Sequence, residues 1–111
     1  MKTDQQQEGP VTVLALSGPM VEEELGAFSA LLGNLMQQGK RRVLLDLSAV
    51  LFVDSAAMEL LLDASSELAG AGGALKIGGV SDVVSDAFAA TRLASHVEIH
   101  KDRTTARRAF L

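Results

Sequence analysis

The sequence RVLLDLSAVLFVDSAAMELLL, residues 42–62, decides the fold of this chain. Its first half is almost continuously apolar, which is typical of a strand covered on both faces of a parallel sheet. After Asp54-Ser55 the apolar positions recur at three- and four-residue spacing, which indicates a helix running to about Leu68. A buried strand therefore leaves the core, presents a carboxylate and a hydroxyl, and turns into a helix.

Strands and helices alternate along the rest of the chain, which predicts a sheet with right-handed crossovers. Leu51–Val53 is expected to resume the buried strand after a break at Ser48-Ala49. The other expected strands are 11–17, 74–78 and 97–99. The other expected helices are 22–36, 82–90 and 102–111, with Ser81 as the N-cap of the second. Residues 91–95 are expected to form a connection. The predicted fold class is α/β, a small mixed β-sheet of about four to five strands packed with about four helices.

The length of 111 residues suits one domain. Residues 1–10 are polar, with three consecutive glutamines, and are expected to form a flexible N-terminal tail; a weak edge strand is the alternative. Residues 11–111 are expected to form the single domain.

Composition excludes several classes of function. The chain has no cysteine, which removes disulfides, thiolate metal sites and cysteine nucleophiles. A net charge of −4 and the absence of Trp and Tyr argue against nucleic-acid binding. No apolar run approaches the roughly 20 residues that span a bilayer, and no signal peptide is evident. We therefore expect a cytoplasmic protein without membrane insertion or cofactor.

Two motifs resemble ligand sites. Gly70–Gly73 contains three glycines, but they follow a helix and precede a strand, the reverse of a phosphate-binding loop. His96, Glu98 and His100 alternate on the expected last strand, so they would share one face. That set could bind zinc or iron, but Val97 and Ile99 explain the alternation as a half-exposed strand. No metal site is predicted.

The sequence also gives little support for a catalytic site. Asp46 and Asp54 would need a facing cleft to act as a carboxylate pair, and the sequence indicates no second cluster to build one. A serine hydrolase needs glycines two residues before and after its nucleophile, but Val53 and Ala57 flank Ser55. No catalytic residue is predicted.

Ser55 then has two readings. It can be the N-cap of the helix that follows, although Met58 stands where a capping box would have Glu or Gln. It can also accept a phosphate, whose charge a helix N-terminus tolerates. The adjacent Asp54 would repel that phosphate, so modification would change the surface strongly.

At these residues the chain resembles the STAS family, which includes the bacterial anti-sigma-factor antagonists. The family pattern is an apolar strand, Asp-Leu, an aromatic, a hydrophobic residue and Asp-Ser; residues 43–58 read VLLDLSAVLFVDSAAM. Weaker matches are Leu16-Ser17-Gly18 at the end of the early strand, Gly72-Gly73 before the next, and Ser81 before a short helix.

The resemblance implies a non-enzymatic switch. Ser55 would be the phosphoacceptor of a partner anti-sigma factor serine kinase, a PP2C-like phosphatase would remove the phosphate, and the unmodified form would bind the kinase and release a sigma factor. The alternatives are a STAS subunit of a membrane lipid or solute transport complex, or a non-phosphorylated STAS scaffold. The implied partner surface around Ser55 consists of Gly18, Met20, Asp54, Ala56, Ala57, Met58 and Ser81.

The chain departs from the family pattern at three places. Ala57 replaces the usual glycine and is expected to place a methyl group against an approaching kinase. Pro19-Met20-Val21 stands where the family has an acidic residue, and the acids begin only at Glu22. Polar residues occupy the position of the family's N-terminal strand.

Overall fold

The computed structural model describes residues 1–111, which form a five-stranded sheet with helices on both faces. The strands are β1 (Lys2–Glu8), β2 (Val11–Ser17), β3 (Arg42–Ala49), β4 (Ala74–Val80) and β5 (Glu98–His100). They lie in chain order across the sheet; β1 pairs antiparallel with β2 and all other pairs are parallel. This confirms the predicted α/β fold with a mixed sheet.

Five α-helices connect or follow the strands. They are α1 (Leu25–Gln37), preceded by a 3-10 turn (Glu22–Glu24), α2 (Ser55–Gly70), α3 (Asp82–Ala89), α4 (Leu93–His96) and α5 (Arg103–Arg108). The short helix α4 occupies the segment that the sequence predicted as a connection. None of these helices has the length and apolar character to cross a membrane.

The two faces of the sheet explain the apolar run in β3. On one face Val43 and Leu45 pack in the main core with α1 to α4, as does Phe28. On the other face Leu44 packs against Ala106 of α5. Because both faces of β3 are covered here, the consecutive residues Val43, Leu44 and Leu45 are all apolar and buried, and no half-exposed alternation arises among them.

Polar contacts also hold α5 on its face of the sheet. Lys76 Nζ lies 2.7 Å from Glu98 Oε2 and donates a 3.0 Å hydrogen bond to the Ala109 carbonyl. Arg103 donates to Asp46 Oδ2 at 3.0 Å. Burial raises the pKa of Asp46, but hydrogen bonds from Ser48 and Arg103 outweigh it, so the pKa lies below its ordinary value.

Strand β1 stands where a flexible tail was expected at residues 1–10, so the alternative of an edge strand is the correct one. All seven of its residues are paired in register with β2, from Lys2 with Ser17 to Glu8 with Val11. Six of the seven are exposed, so the strand forms through its backbone hydrogen bonds rather than through an apolar face. The family's N-terminal strand is therefore present in this chain, built from polar residues.

Candidate functional site

The predicted site residues all follow parallel strands at the same edge of the sheet. Gly18 and Met20 follow β2, Asp54 and Ser55 follow β3, and Ser81 follows β4. The carboxyl ends of parallel neighbours meet at one edge, which is where open α/β sheets place their sites. The topology thus brings together three segments that are far apart in sequence.

Hydrogen bonds fasten these three segments to one another. The backbone N–H of Met20 donates to the Phe52 carbonyl at 2.9 Å, and the N–H of Asp54 donates to the Met20 carbonyl at 3.1 Å. Ser81 Oγ donates to the Val50 carbonyl at 3.2 Å. The segments therefore form one continuous surface instead of three independent loops.

Asp54, and not Ser55, is the N-cap of α2. Its Oδ1 accepts from the Ala57 N–H at 2.9 Å, and its Oδ2 accepts from the Glu22 N–H at 2.9 Å. The hydrogen bond from the Ala57 N–H has the largest effect on the pKa of Asp54, and that from Glu22 adds to it. Both lower the pKa and keep the carboxylate ionised. The carboxylate joins the start of α2 to the segment after β2, so its role is to hold the site together.

Ser55 is the first residue of α2 and is exposed to solvent. Its hydroxyl makes no hydrogen bond to any other group of the chain. The sequence left open whether Ser55 caps the helix; in the structure it does not. The hydroxyl is accordingly free to react without loss of an internal contact.

Burial divides the other predicted partner-binding residues into two groups. Met20 and Ala57 are 0% exposed, so neither side chain is available to a partner in this conformation. The Ala57 methyl group belongs to the main core, which corrects the expectation that it faces an approaching kinase. The partly exposed members are Gly18, Asp54, Ala56, Met58 and Ser81.

Ser81 has a structural role as well. It caps α3 by accepting from the Val84 N–H at 3.3 Å, as the sequence predicted. Through its second hydrogen bond, to Val50, it positions the start of α3 beside the segment after β3. Val83, in the first turn of that helix, is 64% exposed.

Two apolar residues that the sequence placed in a buried strand are exposed at this edge. Leu51 is 71% exposed and Phe52 is 53% exposed. Only Val53 of the expected 51–53 strand makes a bridge, to Met20. The signal that could have identified the pair is Ser48-Ala49, because β3 ends there and leaves the next residues outside the sheet.

The remaining sequence candidates form no metal or catalytic site, although Glu98 Oε1 and His100 Nε2 lie 3.2 Å apart. His96 is in α4 and its Nδ1 lies 2.8 Å from the Arg92 carbonyl, so it does not share a strand with Glu98 and His100. No group of three or more His, Cys, Asp or Glu residues is arranged to hold a metal. Asp46 binds Arg103, whereas Asp54 caps α2, so they face no common cleft.

Gly70–Gly73 ends α2. The N–H of Gly73 donates to the Leu68 carbonyl at 2.8 Å and that of Gly72 donates to the Ala69 carbonyl at 3.1 Å. This is the Schellman pattern of a helix C-terminus. The glycines thus close a helix and do not cradle a phosphate.

Comparison with known proteins gives one family and several similar structures. The model of the STAS domain family matches residues 2–106. Among curated protein sequences, no relative is detected.

The similar structures share the whole fold at low sequence identity. A putative anti-sigma factor antagonist from Thermotoga maritima has a TM-score of 0.91 and 17% identity, over 97% of this chain and 93% of that one. An anti-sigma factor antagonist from Mycobacterium paratuberculosis has a TM-score of 0.89 and 19% identity, over 98% and 92%. The Bacillus cell fate determinant SpoIIAA in its phosphorylated form has a TM-score of 0.75 and 16% identity, over 97% and 99%.

Proposed function

The chain belongs to the STAS domain family, and from that membership we propose that it is an anti-sigma-factor antagonist controlled by phosphorylation of Ser55. In its unmodified form it binds an anti-sigma factor serine kinase in the cytoplasm and so releases a sigma factor. The kinase phosphorylates Ser55, and a PP2C-like phosphatase restores the binding form. The chain itself is not an enzyme in this scheme. SpoIIAA, which has the same fold, is an anti-sigma factor antagonist that exists in unphosphorylated and phosphorylated forms.

The observation that supports the proposal is that Asp54 and Ser55 have different roles. Asp54 caps α2 and ties it to Glu22, whereas the Ser55 hydroxyl is exposed and unbonded. A phosphate on Ser55 therefore breaks no internal hydrogen bond. The fold persists in both states, as a reversible switch requires.

Electrostatics supports an off-switch at this position. A phosphoserine carries about −1.5 to −2 charges at neutral pH. The helix N-terminus stabilises part of that charge, but the ionised Asp54 carboxylate stands next to it and is already fully engaged with two backbone N–H groups. The added charge is consequently displayed on the surface, where it repels an acidic partner patch or resists desolvation in an apolar one.

Apolar side chains beside Ser55 supply the binding surface. Leu51 and Phe52 precede the serine and project into solvent, and Val83 is exposed on the adjoining start of α3. Aromatic side chains flanked by aliphatic ones are common anchors of protein interfaces. A phosphate placed among such residues penalises association far more than one on a polar surface.

The test is incubation of the full chain with its cognate anti-sigma factor kinase and ATP, followed by intact-mass measurement. We expect one phosphate, located on Ser55 by fragmentation, and none in Ser55→Ala. Ser66→Ala is the matched control, since Ser66 is exposed on the same helix, and it should be phosphorylated like the unaltered chain. Binding of Ser55→Asp to the kinase should be weakened, with a melting temperature within about 2 °C of the unaltered chain.

Three results would contradict the proposal. Unmodified protein after incubation with a kinase that demonstrably binds it would mean that the chain is a non-phosphorylated STAS scaffold. Specific association with a transporter ATPase or permease, insensitive to Ser55→Asp, would favour the membrane transport complex. A large loss of stability in Ser55→Asp would instead assign the serine a structural role.

A further inference from the structure

A second surface of the domain has features that the Ser55 site does not explain. Helices α1 and α2 are separated by a cleft of about 210 Å³ that opens to solvent. Ala64, which lines it, lies nine residues after Ser55, about 14 Å along the helix at 1.5 Å per residue. The two surfaces are therefore distinct places on α2.

The floor and walls of this cleft are mainly apolar. Leu32 and Met36 contribute from α1, Leu60 and Leu68 from α2, and Val43 of β3 lies between them. The volume is below the roughly 300–1,000 Å³ of pockets that bind drug-sized molecules. It suits one or two inserted side chains better than an entire small molecule.

The α2 rim of the cleft is acidic and its carboxylates form no ion pair within the chain. Asp63 and Glu67 line it, and both carboxylates are exposed. Neither has a cationic side chain within 4 Å; the ion pairs of the chain involve other residues. Helix α1, opposite, carries no charged residue at all. The occupant that complements this rim is cationic along one side.

The α1 side of the cleft lacks a side chain at one position. Gly33 lies in the middle of α1 and lines the cleft, and a Cβ atom built there would have nothing within 4 Å beyond the helix backbone itself. No internal contact thus requires a glycine at this position. Its effect is to leave room for the backbone of an approaching segment.

From the apolar floor, the unpaired acidic rim and the opposite rim that lacks a side chain, we propose that the α1–α2 cleft binds an amphipathic helix of a partner protein, with apolar side chains inserted between α1 and α2 and Lys or Arg residues facing Asp63 and Glu67. Recognition of a helix by a groove between apolar walls is a common mode. The acids are four residues apart, about 6 Å along α2, and cations one turn apart on the partner match that spacing. The proposal is independent of Ser55 and its phosphorylation.

The test uses a defined probe, an acetylated and amidated 14-residue peptide of Leu, Ala and Lys. Its leucines follow a three- and four-residue spacing, and its lysines flank that stripe. One control peptide has Glu in place of Lys, and another has the same composition in scrambled order. Binding to the full chain is measured by calorimetry, and the site is located by backbone amide chemical shifts, which should change at Gly33 and Ala64 and not at Ser55.

Variants of the cleft make the test specific. Gly33→Leu fills the rim and should weaken binding at least tenfold, whereas Gly26→Leu, an open α1 glycine outside the cleft, should change it less than twofold. The double variant Asp63→Asn with Glu67→Gln should weaken binding about fivefold and flatten its salt dependence. Thermal melting of each variant verifies that it is folded.

Several outcomes would overturn the proposal. The first is undetectable binding of the Lys peptide. The second is equal binding of the scrambled peptide, which would mean that net charge alone causes the binding. The third is unchanged affinity in Gly33→Leu. Concentration-dependent dimerisation abolished by Gly33→Leu would assign the cleft to a second copy of this chain. Preferential binding of a neutral or anionic aliphatic compound would assign it to lipid. None of these outcomes bears on Ser55, so failure here leaves the antagonist proposal standing.

Discussion

Replacing Gly33 by alanine should stabilise this protein. Gly33 lies in the interior of α1, its φ is not positive, and its added Cβ would contact no atom within 4 Å outside the helix backbone. In an exposed helix interior glycine is less favourable than alanine by about 0.8–1 kcal/mol. Because the new methyl group meets no neighbour, the full difference should appear as stability.

The expected shift is large enough to measure. An unfolding entropy of about 2.1 cal/mol/K per residue gives about 0.23 kcal/mol/K for this chain, so 1 kcal/mol raises the melting temperature by about 4 °C. In urea, with a slope of about 1–1.5 kcal/mol/M, the midpoint should rise by about 0.7–1 M. Circular dichroism melts and urea titrations at fixed pH would measure both.

Gly26→Ala supplies an internal check, since Gly26 is equally open and also lies in α1. It is nearer the helix start, so its gain should be equal or smaller. A neutral or destabilising Gly33→Ala would refute the reasoning, because it would mean that the site is occupied or that α1 is strained there. A stabilised variant that loses affinity for an amphipathic peptide would show why the chain retains glycine at the cleft.

Three further changes test other contacts. Gly78→Ala should destabilise by about 1–3 kcal/mol in urea unfolding, because its Cβ would lie 2.8 Å from the Ala106 methyl of α5; an unchanged midpoint would mean that α5 is loosely held. Asp46→Asn should cost about 1 kcal/mol at pH 7, since the pair with Arg103 is only partly buried. Because the pKa of Asp46 is lowered in the folded chain, its contribution to stability is present above the unfolded pKa and is lost as the pH falls through the folded pKa, so the difference between variant and parent should shrink in acid. A difference that persists in acid would exclude the ion pair as its cause. Phe52→Ala should weaken kinase binding at least tenfold, or about 1.4 kcal/mol, and leave stability within about 0.5 kcal/mol, whereas Leu111→Ala, at the exposed C-terminus, should change neither.

The pattern of apolar side chains predicted the strands and helices that bury apolar residues. Strand β2 was predicted with the bounds that it has, Val11–Ser17, because both its faces are covered and nearly every residue is apolar. Strand β1 was expected only as a weak alternative to a flexible tail, because its stabilisation comes from backbone pairing with β2, which leaves no trace in side-chain polarity. A polar strand at the edge of a sheet looks like a tail to any reasoning based on hydrophobic pattern.

The candidate site was predicted in position but not in detail. The change of period at Asp54-Ser55 located the turn between β3 and α2, and the topology placed Gly18 and Ser81 beside it. The sequence named only Ser55 as a possible cap of this helix, although Asp and Ser are about equally good N-caps, and the structure gives that role to Asp54. The answer depended on the Glu22 N–H, which approaches from a segment 32 residues earlier and supplies the carboxylate with its second donor.

That cap assignment determines how variants at the two positions should be read. Asp54 joins α2 to the segment before α1, so Asp54→Ala would displace both segments, and a loss of partner binding could not be assigned to a lost contact. The Ser55 hydroxyl makes no such contact, so a change in charge at this residue should alter the exposed surface and leave these hydrogen bonds intact. If Ser55 is phosphorylated as proposed, the modification should change affinity without changing the fold, because the residue that receives the charge and the residue that holds the site together are adjacent but separate.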